Sequence, residues 1–285
     1  MRPPYVTDQL LNDFIERAFI EDIGEGDHST LSSIPEEAIK SGYLLMKESG
    51  IIAGMELAPL IFHKLDPNME IQALALDGDK VLKGDIVLQL KGKVRAILSG
   101  ERLLLNCMQR MSGIATKTAY LNSLIEGTHA KLLDTRKTTP NMRMLEKWAV
   151  LIGGGVNHRY GLYDMIMLKD NHIDFAGSIA QAVTSTQSYL KENGLNLKIE
   201  VETRNLDEVK QALAVGGVDR IMLDNMSLKE MTAAVKLIAG RSETEASGGI
   251  TEETIRGVAE TGVDYISVGA LTHSIKSLDI SLKAD

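Results

Sequence analysis

The chain has 285 residues, 44% hydrophobic and 25% charged, a composition that excludes a disordered or collagen-like protein. Its 31 Lys and Arg against 39 Asp and Glu give a net charge of −8, which excludes the broad basic footprint of a general nucleic-acid binder. A single cysteine, Cys107, excludes an internal disulfide and a thiolate zinc cluster, and fits a reducing cytoplasm. Leu10, Leu11, Phe14, Ile15 and Ala18 recur at helical spacing and predict an amphipathic helix over 7–19, capped by Thr7 or Asp8. This start lacks the basic and apolar regions of a secretory signal, and no apolar run approaches the roughly 20 residues that span a bilayer. The expectation is a cytoplasmic protein with neither a membrane nor a nucleic-acid partner. Short apolar runs at 43–46, 51–53, 71–76 and 86–90, separated by Gly and Asp, predict an antiparallel sheet. From 99 to 125 the period is helical again, with Leu103, Leu104, Cys107, Met108 and Met111 on one face and Gly113 as a break.

After residue 130 the pattern alternates. Strands are predicted at 131–134, 165–169, 197–202, 220–224, 243–247 and 265–268, with helices at 142–149, 178–191, 206–214, 228–238 and 252–260. Such alternation implies a parallel sheet with helices outside. Six strands fall short of the eight of a full barrel, so an open, incomplete barrel is expected. A doubly wound open sheet is the alternative, but no Gly-rich dinucleotide turn follows the first strand.

Strand parity puts charge on faces that should be dry. Lys198, Glu200 and Glu202 share one face, Arg220, Met222 and Asp224 another, and Lys169 ends the strand that carries Met165 and Met167. Buried charges must pair with one another or with a charged ligand. Lys169, Glu202 and Asp224 sit at C-terminal strand ends, where barrel enzymes place their chemistry. The loop Asp134-Thr135-Arg136-Lys137-Thr138-Thr139-Pro140 offers two adjacent cations and three hydroxyls, which suit a multiply charged anion. Gly153-Gly154-Gly155 permits close backbone approach or a sharp turn, and His158-Arg159 follows. Ser247-Gly248-Gly249 and Gly269-Ala270, after the last two strands, suit a phosphate. Carboxylates beside a phosphorylated ligand can bind sugar hydroxyls, hold Mg²⁺ or stabilise positive charge developing on carbon.

In order along the chain, Asp-Thr-Arg-Lys-Thr-Thr-Pro (134–140), Gly-Gly-Gly-Val-Asn-His-Arg (153–159), Leu-Lys-Asp-Asn-His (168–172), Ile-Glu-Val-Glu (199–202), Leu-Asp-Asn (223–225) and Ala-Ser-Gly-Gly-Ile (246–250) resemble the quinolinate phosphoribosyltransferase family. The resemblance implies an α/β protein, with an N-terminal α/β sandwich over 1–112 and an open, incomplete (β/α) barrel of about six or seven strands over 113–273. The tail 274–285 would pack on the first domain. It implies transfer from 5-phosphoribosyl 1-pyrophosphate (PRPP) to quinolinate with Mg²⁺ and no organic cofactor. The products would be nicotinate mononucleotide, pyrophosphate and CO₂, in NAD biosynthesis. By the family pattern, Arg136, His158, Arg159 and Lys169 would hold the quinolinate carboxylates, and Arg102 would reach the partner's site in a homodimer or a larger assembly. Lys137 would contact PRPP or its leaving pyrophosphate. Glu202 and Asp224 would face the ribose and its metal, and Ser247, Gly248, Gly249, Gly269 and Ala270 would take the 5-phosphate.

Three rivals have distinct signatures. A nicotinate phosphoribosyltransferase, or a molybdenum-transport-associated relative of the same fold, would meet one carboxylate with fewer cations. A Schiff-base aldolase would use Lys169 as nucleophile in an apolar pocket. A non-catalytic anion-binding protein would bind without turnover.

Overall fold

Thr7 accepts the Leu10 N–H and opens α1 (Asp8–Asp22), which buries Leu11 and Ile15 against the rest of the first unit. Each such side chain removed from water contributes about 1.5–3 kcal/mol. The computed structural model describes residues 2–285. There follow α2 (His28–Ser33), β1 (Ile39–Met46), β2 (Gly50–Ile51), α3 (Leu57–Leu65), β3 (Glu70–Ala73), β4 (Lys80–Val81), β5 (Ile86–Lys93) and α4 (Val94–Leu124). Within 41–92, where only strands are expected, α3 is a helix. Leu57, Ala58, Ile61 and Phe62 fall on one buried face of it. Gly113 does not break the long helix. A Cβ there would sit on the carbonyl oxygen of Lys276, so the glycine lets the C-terminal segment lie against α4.

Two compact units form. The first comprises the chain up to Ala119 with Thr138–Gly154 and Leu271–Asp285, and the second comprises Tyr120–Lys137 and Gly155–Ala270. In the first, an antiparallel sheet has the order β12-β1-β5-β3, where β12 is Ile280–Ala284. Side chains of β1 alternate between core and solvent, the period of a half-buried strand. The helix α5 (Arg143–Ile152) groups with this unit, whereas the sequence reading draws one boundary near 112 and leaves α5 in the barrel. Close approach explains the grouping. A Cβ on Gly153 would lie 2.5 Å from the Ala115 carbonyl oxygen, and Arg110 donates twice to the fully buried Glu146, at 2.9 and 3.0 Å.

The second unit runs β6 (Lys131–Leu133), β7 (Ile166–Leu168), α6 (Asp170–Ala176), α7 (Ile179–Glu192), β8 (Ile199–Thr203), α8 (Leu206–Val215), β9 (Arg220–Asp224), α9 (Leu228–Ile238), β10 (Glu243–Ser247), α10 (Ile255–Glu260) and β11 (Tyr265–Ser267), and its last residue, Ala270, starts α11 (Ala270–His273), which continues into the first unit. Its six strands are all parallel, in the order β6-β11-β10-β9-β8-β7. The barrel is therefore open between β6 and β7. Val156 fills part of that gap. It bridges to Leu133, and its N–H donates to the Leu132 carbonyl at 2.8 Å. Among the described residues no helix is long and apolar enough to cross a membrane.

Candidate active site

The site of the second unit is built at the C-terminal ends of its strands. At the end of β6, Asp134 is fully buried. Its Oδ1 accepts the His158 N–H at 2.8 Å, and its Oδ2 accepts from Asn157 Nδ2 at 2.6 Å. The carboxylate thus grips the stretch that precedes Arg159. Directly after Asp134, the Thr135 hydroxyl accepts the Lys137 N–H at 3.1 Å and shapes the loop that carries Arg136 and Lys137. Arg136 is half-buried and Lys137 exposed. Arg159 donates from Nη1 to the Met165 carbonyl at 3.1 Å. Burial and the neighbouring positive charge of Arg136 lower its pKa. Two guanidinium groups are thereby held close enough to repel, an arrangement that a bound anion relieves.

Beneath the cations lies a buried network. His158 Nε2 is 3.0 Å from Glu200 Oε2 and 3.4 Å from Glu245 Oε2, and both carboxylates are fully buried. Arg220 pairs with Glu245 and Glu243, each at 3.0 Å, and stacks over the Tyr265 ring at 4.1 Å. Burial pulls the His158 pKa down, and the bonds and charges of Glu200 and Glu245 overcome it, raising it to about 9. Burial, followed by repulsion from Glu245, pushes Glu200 up. The Arg159 N–H meets His158 Nδ1 at 2.6 Å, so a neutral ring keeps its proton on Nε2. His158, Glu200 and Glu245 bring three ligand atoms within 4.8 Å. Arg220 already balances that cluster, and a histidine nitrogen in a dry core does not suit Mg²⁺, which takes oxygen ligands and keeps water.

At the strand ends the donors suit that ion better. Lys169 Nζ is 3.8 Å from Glu202 Oε2. Burial raises the Glu202 pKa, Lys169 opposes this, and the negative charges of Asp224 and Asp170 add to it. Mutually repelling carboxylates at a half-buried mouth fit a divalent cation. Asp224 Oδ2 accepts from Asn225 Nδ2 at 2.7 Å, and Asn225, at φ 54°, donates its N–H to the Ser247 carbonyl at 2.9 Å. Gly248 has φ 94°, and a Cβ there would strike the Asn225 side chain; Gly249 has φ 60°. Glycine is required at Gly248 on both counts. The helix expected over 252–260 starts only at Ile255, because Thr251–Thr254 form a hydroxyl-bonded turn first. The Gly248 and Gly249 amides are therefore loop amides. Gly269 and Ala270 do stand where a helix, α11, begins.

Lys198, expected on the inward face, is largely exposed and reaches Glu243 at 3.7 Å. Arg102 is exposed on α4, in the first unit. The Gly153–Gly155 run packs helices and turns the chain, since Gly153 abuts α4 and Gly154 has φ 84°. Two residues escape the sequence reading. Glu245 shares the parity of Glu243 and Ser247 on a recognised strand, which was the available signal. The Asp134 clasp had none, because Val156 and its neighbours carry no strand pattern.

A parallel barrel with cations, carboxylates and glycine loops at one rim defines an enzyme for anionic small molecules. The chain matches the C-terminal domain of quinolinate phosphoribosyl transferase over residues 114–283 and the N-terminal domain over 27–112. It belongs to the quinolinate phosphoribosyltransferase family. It is 46% identical over 300 residues to the chloroplastic nicotinate-nucleotide pyrophosphorylase [carboxylating] of Arabidopsis thaliana, covering 100% of this chain and 86% of that protein. It is 44% identical over 274 residues to the probable nicotinate-nucleotide pyrophosphorylase [carboxylating] of Bacillus subtilis, covering 96% and 92%. The crystal structure of NadC from Streptococcus pyogenes superimposes with a TM-score of 0.92 at 42% identity, covering 98% of this chain and 97% of the other. The aldolase and the non-catalytic binder fall away with this membership.

Proposed function

We propose that this chain transfers the phosphoribosyl group of PRPP to quinolinate and releases pyrophosphate, CO₂ and nicotinate mononucleotide, with the roles divided as follows. Arg136, Arg159 and Lys169 hold the two carboxylates, with His158 at the floor of the cup. Lys137 meets the pyrophosphate. Ser247, Gly248, Gly249, Gly269 and Ala270 take the 5-phosphate. Glu202 and Asp224 face the ribose and are the residues that would hold Mg²⁺ bound with PRPP, an ion that neutralises the leaving pyrophosphate. Departure of pyrophosphate leaves positive charge on the anomeric carbon, which Glu202 and Asp224 stabilise. The quinolinate nitrogen carries no proton at neutral pH, so its attack needs no general base, and the cations position and neutralise. Quaternisation of the ring nitrogen stabilises the electron pair left on the adjacent ring carbon when the C–C bond breaks and CO₂ departs, and that carbon then takes a proton from water. A homodimer in which Arg102 serves the partner's site, in the cytoplasm, completes the reading.

The observation that carries it is the juxtaposition of Arg136 and Arg159 at the rim that also bears Lys169, Glu202 and Asp224. One carboxylate would not need three cations, which favours the dicarboxylate over nicotinate. Mixing the protein with quinolinate, PRPP and Mg²⁺ should yield CO₂ and nicotinate mononucleotide in equal amounts. Equal turnover of nicotinate without CO₂ would refute the assignment.

A further inference from the structure

We propose that Asp134 is a positioning residue for the dicarboxylate cup, tying the loop of Arg136 and Lys137 to the turn that presents Arg159. Its carboxylate is fully buried and spends one oxygen on the His158 N–H and the other on the Asn157 amide, at 2.8 and 2.6 Å. Its own N–H donates to the Val156 carbonyl at 3.1 Å, so three consecutive residues of the 156–158 segment are fastened to it. That segment is where the barrel lacks a strand. The ladder that fixes Glu202 and Asp224 is absent there, and Val156 makes only an isolated bridge to Leu133. A buried carboxylate that accepts two N–H bonds supplies the missing constraint, and bonds to a charged acceptor are the strong ones. Arg136 and Arg159 repel each other, so the two segments would drift apart without a clasp. Asp134 lies below both cations and acts through them.

This role rests on the placement of quinolinate against Arg136 and Arg159, and the test separates the two. Asp134→Asn keeps the shape and the bond to the His158 N–H, but turns an amide donor toward the Asn157 donor. We expect quinolinate affinity, read by calorimetry on the full-length protein, to fall about tenfold, with kcat at saturating quinolinate within about threefold of the parent. The exchanged pair Asp134→Asn with Asn157→Asp reverses the direction of the same bond and should recover most of the affinity. Asn157→Ala, which leaves the buried carboxylate in place, should weaken quinolinate binding by about threefold and serves if Asp134→Asn does not fold. Unchanged affinity in Asp134→Asn, or a folded exchanged pair that recovers nothing, overturns the role of Asp134. Unchanged affinity in Arg159→Ala overturns the placement of quinolinate, and this role with it.

Discussion

At the scale of single residues, the site separates groups that meet ligand from groups that hold them. By the proposed roles, Arg159 and Lys137 belong to the first kind. Arg159→Ala should raise the KM for quinolinate by about 10- to 100-fold, the cost of a lost charge-assisted hydrogen bond. Lys137→Ala should instead lower kcat by about 10²–10³, because it removes charge stabilisation that grows as pyrophosphate leaves. Steady-state kinetics, with circular dichroism as the check on folding, distinguishes the two, and the same pattern in both variants would contradict the division. His158 belongs to the second kind. Against burial, Glu200 and Glu245 raise its pKa to about 9 in the folded chain, against 6.5 for an unperturbed histidine. A raised pKa means that its stabilisation is full below pH 6.5 and is lost as pH rises toward 9. The ceiling is about 3 kcal/mol, because the Arg159 N–H on Nδ1 opposes the second ring proton. Urea unfolding between pH 6 and 10 should show the parent losing stability across that window, with His158→Gln flatter. The cation types at the rim were legible in the sequence because Arg and Lys stand next to one another in a loop. The Asp134 clasp was illegible, because a hydrogen bond to a strandless segment leaves no periodic trace.

Among the elements, the strands of the barrel were the easiest to read and the helices around glycine the hardest. Period-two alternation of apolar and charged residues at 199–202 and 220–224 placed Glu200 inside, and it is fully buried. By contrast, α3 was hidden by the Gly and Asp around it, and its short apolar run reads equally as strand. Gly113 shows the same difficulty from the opposite side. A glycine in a helical pattern signals either a break or a close approach, and only the packed chain decides. Here the partner is Lys276 backbone, which cannot swing aside as a flexible side chain would. Gly113→Ala has better helix propensity by about 1 kcal/mol, yet overpacking typically costs about 1–3 kcal/mol. We expect a net loss of stability, with the β12 segment loosened. A urea midpoint equal to or above that of the parent would show that the approach is not tight. Gly248 is constrained twice, by φ and by Asn225, so any side chain there disturbs both the glycine loop after β10 and the Asp224 turn.

For the whole molecule, the chain passes between its two units four times, at 119/120, 137/138, 154/155 and 270/271. Two helices, α4 and the short α11, contribute residues to both. Pulling either unit open therefore strains covalent connections to the other, which favours joint rather than separate unfolding. Cys107 is the thiol with which to test this. It is 2% exposed on α4 within the first unit, and burial pushes its pKa up to about 12, so it is inert to disulfide reagents unless its surroundings open. The residues proposed to hold quinolinate, Arg136, Arg159 and Lys169, by contrast lie in the second unit. A ligand at 100 times its Kd stabilises the folded state by about 2.7 kcal/mol, which is about a hundredfold in the open population. If the units unfold together, saturating quinolinate should slow Cys107 labelling by that factor under conditions where reclosing outpaces the reagent. If they open independently, the rate should not change. The four crossings lead us to expect the slowing, and a labelling rate indifferent to quinolinate, in protein shown by calorimetry to be saturated, would mean that connectivity alone does not couple the two cores.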